Sequence, residues 1–262
     1  MKNKGMKVRI SRRDFLKTSV LGLMGLGLAY TGLSDFLKKT YTLTGLTVKG
    51  TGKLSEHSKE AYNYVKYGSN VKCELCPHSC VLKKGERGRC RVRENVDGKL
   101  YTMVYGNPCA VHLDPVEKKP LYHFLPGTTA YSIATAGCNF RCLNCQNWNI
   151  SQFPPEKTEN VSMFPEKVVE NALKSGAKSI AYTYSEPTIF YEYMLDTARL
   201  AKKEGLRNVY VSNGYINEKP LRLLAKYLHG ANINLKSFDD DIYRCCLLYT
   251  SDAADELAGV DL

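Results

Sequence analysis

Seven cysteines stand at the short spacings used by metal ions and iron-sulfur clusters. Cys73, Cys76, Cys80 and Cys90 have the form C-x2-C-x3-C-x9-C, and Cys138, Cys142 and Cys145 have the form C-x3-C-x2-C. Thiolates are soft ligands that suit zinc, copper(I) and iron-sulfur clusters. In the first group Pro77, Gly85 and Gly88 provide reversals that would gather four sulfurs, and the flanking Lys and Arg would offset their charge. A structural zinc and an iron-sulfur cluster both fit this spacing, and His78 could replace one thiolate. Reading these four as reduced core cysteines agrees less well with C-x2-C beside Pro and Gly, which marks a loop. The second group is one ligand short. A closed 4Fe-4S site has four protein ligands, so three in one loop leave one iron open to a substrate or cofactor. A zinc site or ferredoxin-like centre on the same loop would need a fourth ligand from Cys109, His112 or His123. Those three otherwise read as ordinary core or loop residues.

The elements that must position these loops follow from periodicity. The second cysteine group comes directly after the strand-like run Ala130–Ala136. Beyond it a helix opened by Pro165 ends near Gly176, a strand covers about Ser179–Thr183, and a helix runs from Pro187 to near Gly205. A strand at about Asn208–Ser212, a helix at about Glu218–His229 and a strand at about Asn232–Leu235 repeat the pattern. Strands alternating with helices predict a parallel sheet or β/α barrel, in which ligands sit at the carboxyl ends of the strands. Upstream, residues 35–70 read as linker and a first helix, with Ser55–Glu60 leading into Ala61–Val65.

Composition narrows the class. The chain has 262 residues, 44% hydrophobic and 24% charged, which excludes collagen-like, low-complexity and largely disordered proteins. Ten cysteines are too sparse at this length for a small disulfide-knit scaffold. The net charge of +11 resides in two segments. Residues 1–17 carry seven basic side chains against Asp14, and residues 72–93 carry seven against Glu74 and Glu86. The remainder is balanced, so the basic charge is no direct evidence for nucleic-acid binding.

The C-x3-C-x2-C loop behind a strand resembles the signature of the radical S-adenosylmethionine (SAM) enzymes, whose unique iron binds the amino and carboxylate groups of SAM. That family usually has an aromatic residue before the last cysteine. Here it is Asn144, and the neighbouring aromatics are Phe140 and Trp148. Tyr184-Ser185-Glu186-Pro187 is similar to the Gly-Gly-Glu-Pro element that binds the SAM amino group in pyruvate formate-lyase activating enzymes, which makes Glu186 a candidate. Beside Pro187 the same carboxylate also suits a helix N-terminus. Ser212-Asn213-Gly214 resembles the family's Thr-Asn-Gly stretch, where polar side chains approach the ribose or methionine of SAM. Asn234-Leu235-Lys236 resembles the activating enzymes' Asp-Leu-Lys, with Asn for Asp and the cation of Lys236 kept.

The resemblance extends from about Cys73 to Arg244, including Leu113–Gly127, and is similar overall to the radical SAM member of the AmmeMemoRadiSam group, close to activating enzymes. It implies an α/β protein with a partial (β/α) radical SAM barrel behind a small cysteine-rich metal-binding segment. It also implies a 4Fe-4S cluster that, reduced by one electron, splits SAM to methionine and a 5′-deoxyadenosyl radical that takes a hydrogen from substrate. The implied partners are a one-electron donor such as a flavodoxin or ferredoxin, a protein substrate, and AMMECR-like and Memo-like proteins. An exported electron-transfer protein with two closed clusters and no SAM chemistry is the alternative.

Both ends carry separate signals. Ser11-Arg12-Arg13-Asp14-Phe15-Leu16-Lys17 before a glycine-rich apolar run resembles a twin-arginine export signal, so residues 1–34 are expected to be a signal or membrane anchor at the cell envelope. From Cys245 the string Cys-Leu-Leu-Tyr-Thr-Ser-Asp-Ala-Ala-Asp-Glu-Leu breaks the β/α rhythm and resembles translated sequencing-adapter readthrough. The expected organisation is therefore a leader (1–34), linker and helix (35–70), a cysteine-rich segment with connector (71–128), an incomplete radical SAM core of about four strands (129–244), and a non-native tail (245–262).

Overall fold

A computed structural model describes residues 48–243 of the chain. The chain divides into units of residues 1–45 and 46–262, and the described residues belong to the second. The expected leader and the suspected tail lie outside the described residues. Within them, no helix is long and apolar enough to cross a membrane.

The amino-terminal part is all strand and turn. Strands β1 (Val48–Lys49), β2 (Lys59–Glu60), β6 (Glu86–Arg87), β7 (Arg93–Val96) and β8 (Lys99–Thr102) form a five-stranded sheet ordered β1-β6-β7-β8-β2. Strands β3 (Tyr64–Tyr67), β4 (Asn70–Cys73) and β5 (Val81–Leu82) form a three-stranded one. All pairings in both are antiparallel. The helix expected before residue 70 is therefore corrected to strand. Tyr64, Val65 and Tyr67 are β-formers, and the two-residue connection at Gly68, with φ +62°, lets Tyr67 pair with Asn70. Glu60 and Tyr64 are four apart and do hydrogen bond, at 2.7 Å, but across a bend between two strands and not along a helix.

The larger sheet runs β9-β10-β11-β12-β13, with β9 at Ala110–Pro115, β10 at Thr129–Ala134, β11 at Ser179–Tyr182, β12 at Arg207–Ser212 and β13 at Gly230–Ile233. Strands β10 to β13 are mutually parallel, and β9 pairs antiparallel with β10 along the edge. Helices α1 (Trp148–Ser151), α2 (Pro165–Lys174), α3 (Tyr191–Lys203), α4 (Glu218–Ala225) and α5 (Asp240–Ile242) occupy the connections and the end of the described chain. The parallel strands lie in sequence order without reversal. Helices α2, α3 and α4 pack with the strands in the main core.

The strands alternate with period two. Tyr131, Ile133, Ile180, Tyr182 and Tyr210 pack with Val168, Ala172, Met194, Ala198 and Leu224 of the helices in the main core. Ala130, Ala181 and Val209 form a separate small cluster with Leu121 and Phe124. Small residues on that second face suit the inside of a curved sheet.

Two expected boundaries shift. The helix expected to reach His229 ends at Ala225, and the strand expected at Asn232–Leu235 begins at Gly230. The cause is tertiary, since Gly230 pairs with Val209, His229 N–H donates to the Asn208 carbonyl at 2.9 Å, and His229 Nδ1 accepts from Asn208 N–H at 3.1 Å. The helix expected from Pro187 opens as a 3-10 turn over Pro187–Phe190 before continuing as α3.

Two contacts seat the cysteine-rich segment on the larger sheet. Buried Arg93 of β7 grips buried Glu192 of α3 through two parallel hydrogen bonds of 2.8 and 2.7 Å. Gly137, at φ +93°, lies so close to the next segment that a Cβ there would fall 2.4 Å from the Cys90 carbonyl oxygen and 2.7 Å from Val92. No other residue could occupy this position without separating the two cysteine groups.

Candidate active site

Each carboxyl end of the parallel strands carries one of the sequence elements. The chain leaves β10 at Ala134 and enters the Cys138–Cys145 loop, leaves β11 at Tyr182 into Tyr184–Glu186, leaves β12 into Asn213 and Gly214, and leaves β13 into Asn234–Lys236. The eight residues proposed from sequence for this site, Cys138, Cys142, Cys145, Glu186, Ser212, Asn213, Asn234 and Lys236, all border one cleft of about 640 Å³ that opens to solvent. They come from four strand ends separated by up to 98 positions in sequence, so the parallel register alone brings them together.

The cysteine loop is only partly buried. Cys138 Sγ accepts from Phe140 N–H at 3.3 Å, and Cys145 Sγ lies 3.2 Å from Ser151 Oγ. Burial, then the negative charges of Glu186 and the other cysteines, pushes the Cys138 thiol far up. Burial and Cys145 raise Cys142, against a lowering influence from Lys236. Thiols so placed ionise when a cation draws them, and three soft donors facing an open cleft suit an iron-sulfur cluster with one open iron. Among the described residues no three His, Cys, Asp or Glu side chains are arranged to hold a single ion.

Glu186 is buried and already holds four donors. Oε1 accepts from Thr188 N–H (3.0 Å), Thr188 Oγ1 (2.6 Å) and Ser212 Oγ (2.7 Å), while Oε2 accepts from Asn213 N–H (2.8 Å). It therefore serves as the N-terminal cap of the turn at Pro187, and Oε2 keeps acceptor capacity toward the cleft. Burial pushes its pKa up against the pull of these donors. Ser212 and Asn213 border the cleft and also have partners within the protein. Ser212 Oγ donates to Glu186, and Asn213 Nδ2 donates to Asn139 Oδ1 at 2.8 Å, tying the β12 loop to the cysteine loop. Lys236 Nζ donates to Asn234 Oδ1 at 2.9 Å, so those two act as a unit.

The aromatics near the loop divide. Phe140 is buried and packs edge-on to Tyr215, with ring centroids 5.4 Å apart, whereas Trp148 is exposed and leans on Phe153. Cys109 continues into β9, its N–H donating to the Ala134 carbonyl, and His112 of β9 packs edge-on to Tyr184.

One part of the cleft wall was missed from sequence. Tyr184 has φ +64°, a strained value for an aromatic residue, and donates its hydroxyl to Asp114 of β9. Lys119, buried at 1% exposure, donates to the same carboxylate at 2.6 Å and lies 4.3 Å above the Tyr184 ring, while Lys118 donates at 2.8 Å. Burial would raise the Asp114 carboxyl, but the hydrogen bonds from Lys118, Lys119 and Tyr184 outweigh it and hold the group well below its ordinary value. The pairing spans 70 positions and an antiparallel edge strand, so no local pattern signals it. The folded pKa lies below the unfolded 3.8, so the stabilisation is complete above that pH and disappears as pH falls beneath it. Urea unfolding midpoints measured from about pH 5 down to about pH 2 should decline for the native protein and decline less for Asp114→Asn, which starts lower because Lys119 is left buried without its counter-charge. Equal pH slopes would reject this assignment.

Residues 132–257 match the model of the radical SAM superfamily. The chain carries a radical SAM domain. Radical SAM proteins typically use a 4Fe-4S cluster and SAM, and the class is enzymatic. An uncharacterized protein of Methanocaldococcus jannaschii is 47% identical over 189 residues, covering 72% of this chain and 56% of that relative. A second uncharacterized protein of the same organism is 29% identical over 158 residues, covering 58% of this chain and 41% of its own length. The chain thus spans about half the length of the curated relatives it matches. The radical SAM match begins within β10, so the cysteine-rich segment lies ahead of it.

Proposed function

We propose that Cys138, Cys142 and Cys145 hold a 4Fe-4S cluster and that SAM binds beside it in the cleft, making this an activating-enzyme-like radical SAM enzyme. The observation that supports this most is the opening of the three-cysteine loop into the same cleft as Glu186, Ser212, Asn213, Asn234 and Lys236. Cluster and SAM together supply one-electron cleavage of the sulfonium to methionine and a 5′-deoxyadenosyl radical, which takes a hydrogen atom from the substrate. The chain's own residues bind and orient. Glu186 Oε2 is the acceptor for the SAM ammonium, and Lys236, steadied by Asn234, is the cation for its carboxylate. Asn213 fixes the distance between the cysteine loop and the β12 loop.

The electron comes from a one-electron donor of the flavodoxin or ferredoxin kind. The substrate is a segment of a partner protein, for which the breadth of the cleft leaves room, and the four parallel strands are the first part of a larger β/α barrel. The test is the electron paramagnetic resonance spectrum of the anaerobically reconstituted, reduced protein with and without SAM. A SAM-dependent change is expected. An unchanged spectrum would reject the open iron in favour of a closed electron-transfer centre.

A further inference from the structure

The first cysteine group closes around a space of its own. Cys73, Cys76, Cys80 and Cys90 line a small cavity of about 20 Å³ together with Arg89 and Arg93. His78 also borders the cavity, and its Nε2 donates to the Asn139 carbonyl at 2.8 Å.

Two further observations concern what the cavity takes. Arg89 and Arg93 are 6% and 2% exposed, and the Nε–H of each is buried with no hydrogen-bond partner among the described residues. Arg93 has Glu192 for its charge, whereas the groups acting on Arg89 are Cys80, Tyr215 and Cys76. A buried guanidinium needs an anion, and an unpaired N–H needs an acceptor. The second observation is the arrangement of the donors. A single zinc ion draws four sulfurs to about 2.3 Å from one centre, and among the described residues no three His, Cys, Asp or Glu side chains are arranged to hold a single ion. A polynuclear group bridges thiols that one ion does not reach, and its sulfurs are acceptors for unpaired N–H groups.

We infer that Cys73, Cys76, Cys80 and Cys90 bind a second iron-sulfur cluster with all four irons capped by thiolate. With no open iron it does not bind SAM. It takes up one electron from an external one-electron donor and releases it again, with no bond made and no proton moved. Its position favours exchange with the neighbouring loop, because Cys90 lies close to Gly137 and the Phe140–Tyr215 pair packs with Cys76, Cys138 and Cys142 alike.

The test removes the other cysteines. The full chain carrying Cys138→Ala, Cys142→Ala and Cys145→Ala is reconstituted anaerobically with iron and sulfide, desalted, and analysed for iron, sulfide and zinc. About four irons and about four sulfides per chain are expected, with a reduced-state paramagnetic signal that SAM does not alter. Because this variant lacks the cysteines of the proposed SAM cluster, the outcome does not depend on that reading. Zinc without iron, a folded protein with no metal, or a SAM-sensitive signal would each overturn the inference. Should the triple variant not fold, the otherwise native chain with Cys76→Ser and Cys80→Ser decides. A loss of about four irons relative to the native chain supports the second cluster, and an unchanged iron count refutes it.

Discussion

Alanine in place of Cys142 abolishes reductive cleavage of SAM, and the same is expected for Cys138 and Cys145. Each thiol is one of three donors on a single loop, and no other Cys, His, Asp or Glu among the described residues completes a single-ion site there. The measurement is methionine and 5′-deoxyadenosine formed under dithionite, with iron counted in the same samples. Cleavage should fall to background while the protein keeps its circular dichroism. Cys109→Ala, whose residue sits at the start of the β9 edge and not on the cleft, is the comparison that should retain activity. Cleavage retained in any of the three loop variants would remove the cluster from this loop. Serine in place of Glu186 is a less direct probe, because Glu186 also caps the turn at Pro187 and would disturb the fold.

The second large effect concerns stability. Glu192→Ala is expected to cost about 3–5 kcal/mol, a large share of the roughly 5–15 kcal/mol by which domains are stable. Glu192 is fully buried, receives both Nη groups of Arg93 and also accepts the Tyr62 N–H at 2.9 Å, so one carboxylate joins three segments. Truncation leaves a buried guanidinium without its counter-charge and removes the acceptor of the Tyr62 N–H. Replacing both partners, Arg93→Met with Glu192→Leu, removes the stranded charge and should recover much of the loss, even though the net value of the pair is small. Urea midpoints of the single and double variants measure this. A single variant as stable as the native protein would show that the pair is not what seats the cysteine-rich segment on α3. The cost is larger than for an exposed pair such as Lys84 with Asp97, where water screens both charges.

The residues with chemistry were legible in the sequence because their signal is short in range. Three thiols within eight positions and turn residues beside them need no tertiary information, nor do Pro165 and Pro187 as helix openers or the period-two alternation of β10 to β12. Parallel order followed from the regular alternation of strands and helices, and it carried all eight predicted cleft residues to one end of the sheet. What the sequence did not show depends on partners far along the chain. The stretch leading into Ala61–Val65 reads as a helix until β4 and β8 supply pairing strands on either side of it, and the helix read to His229 stops early where Val209 claims Gly230. Tyr184 takes its left-handed backbone angle where its hydroxyl meets Asp114, and Ser212 and Asn213 on the cleft wall are also bonded to Glu186 and Asn139. Spacing and periodicity specify which groups are available. Burial, which makes an unpaired charge or hydrogen-bonding group costly, decides which of them must meet.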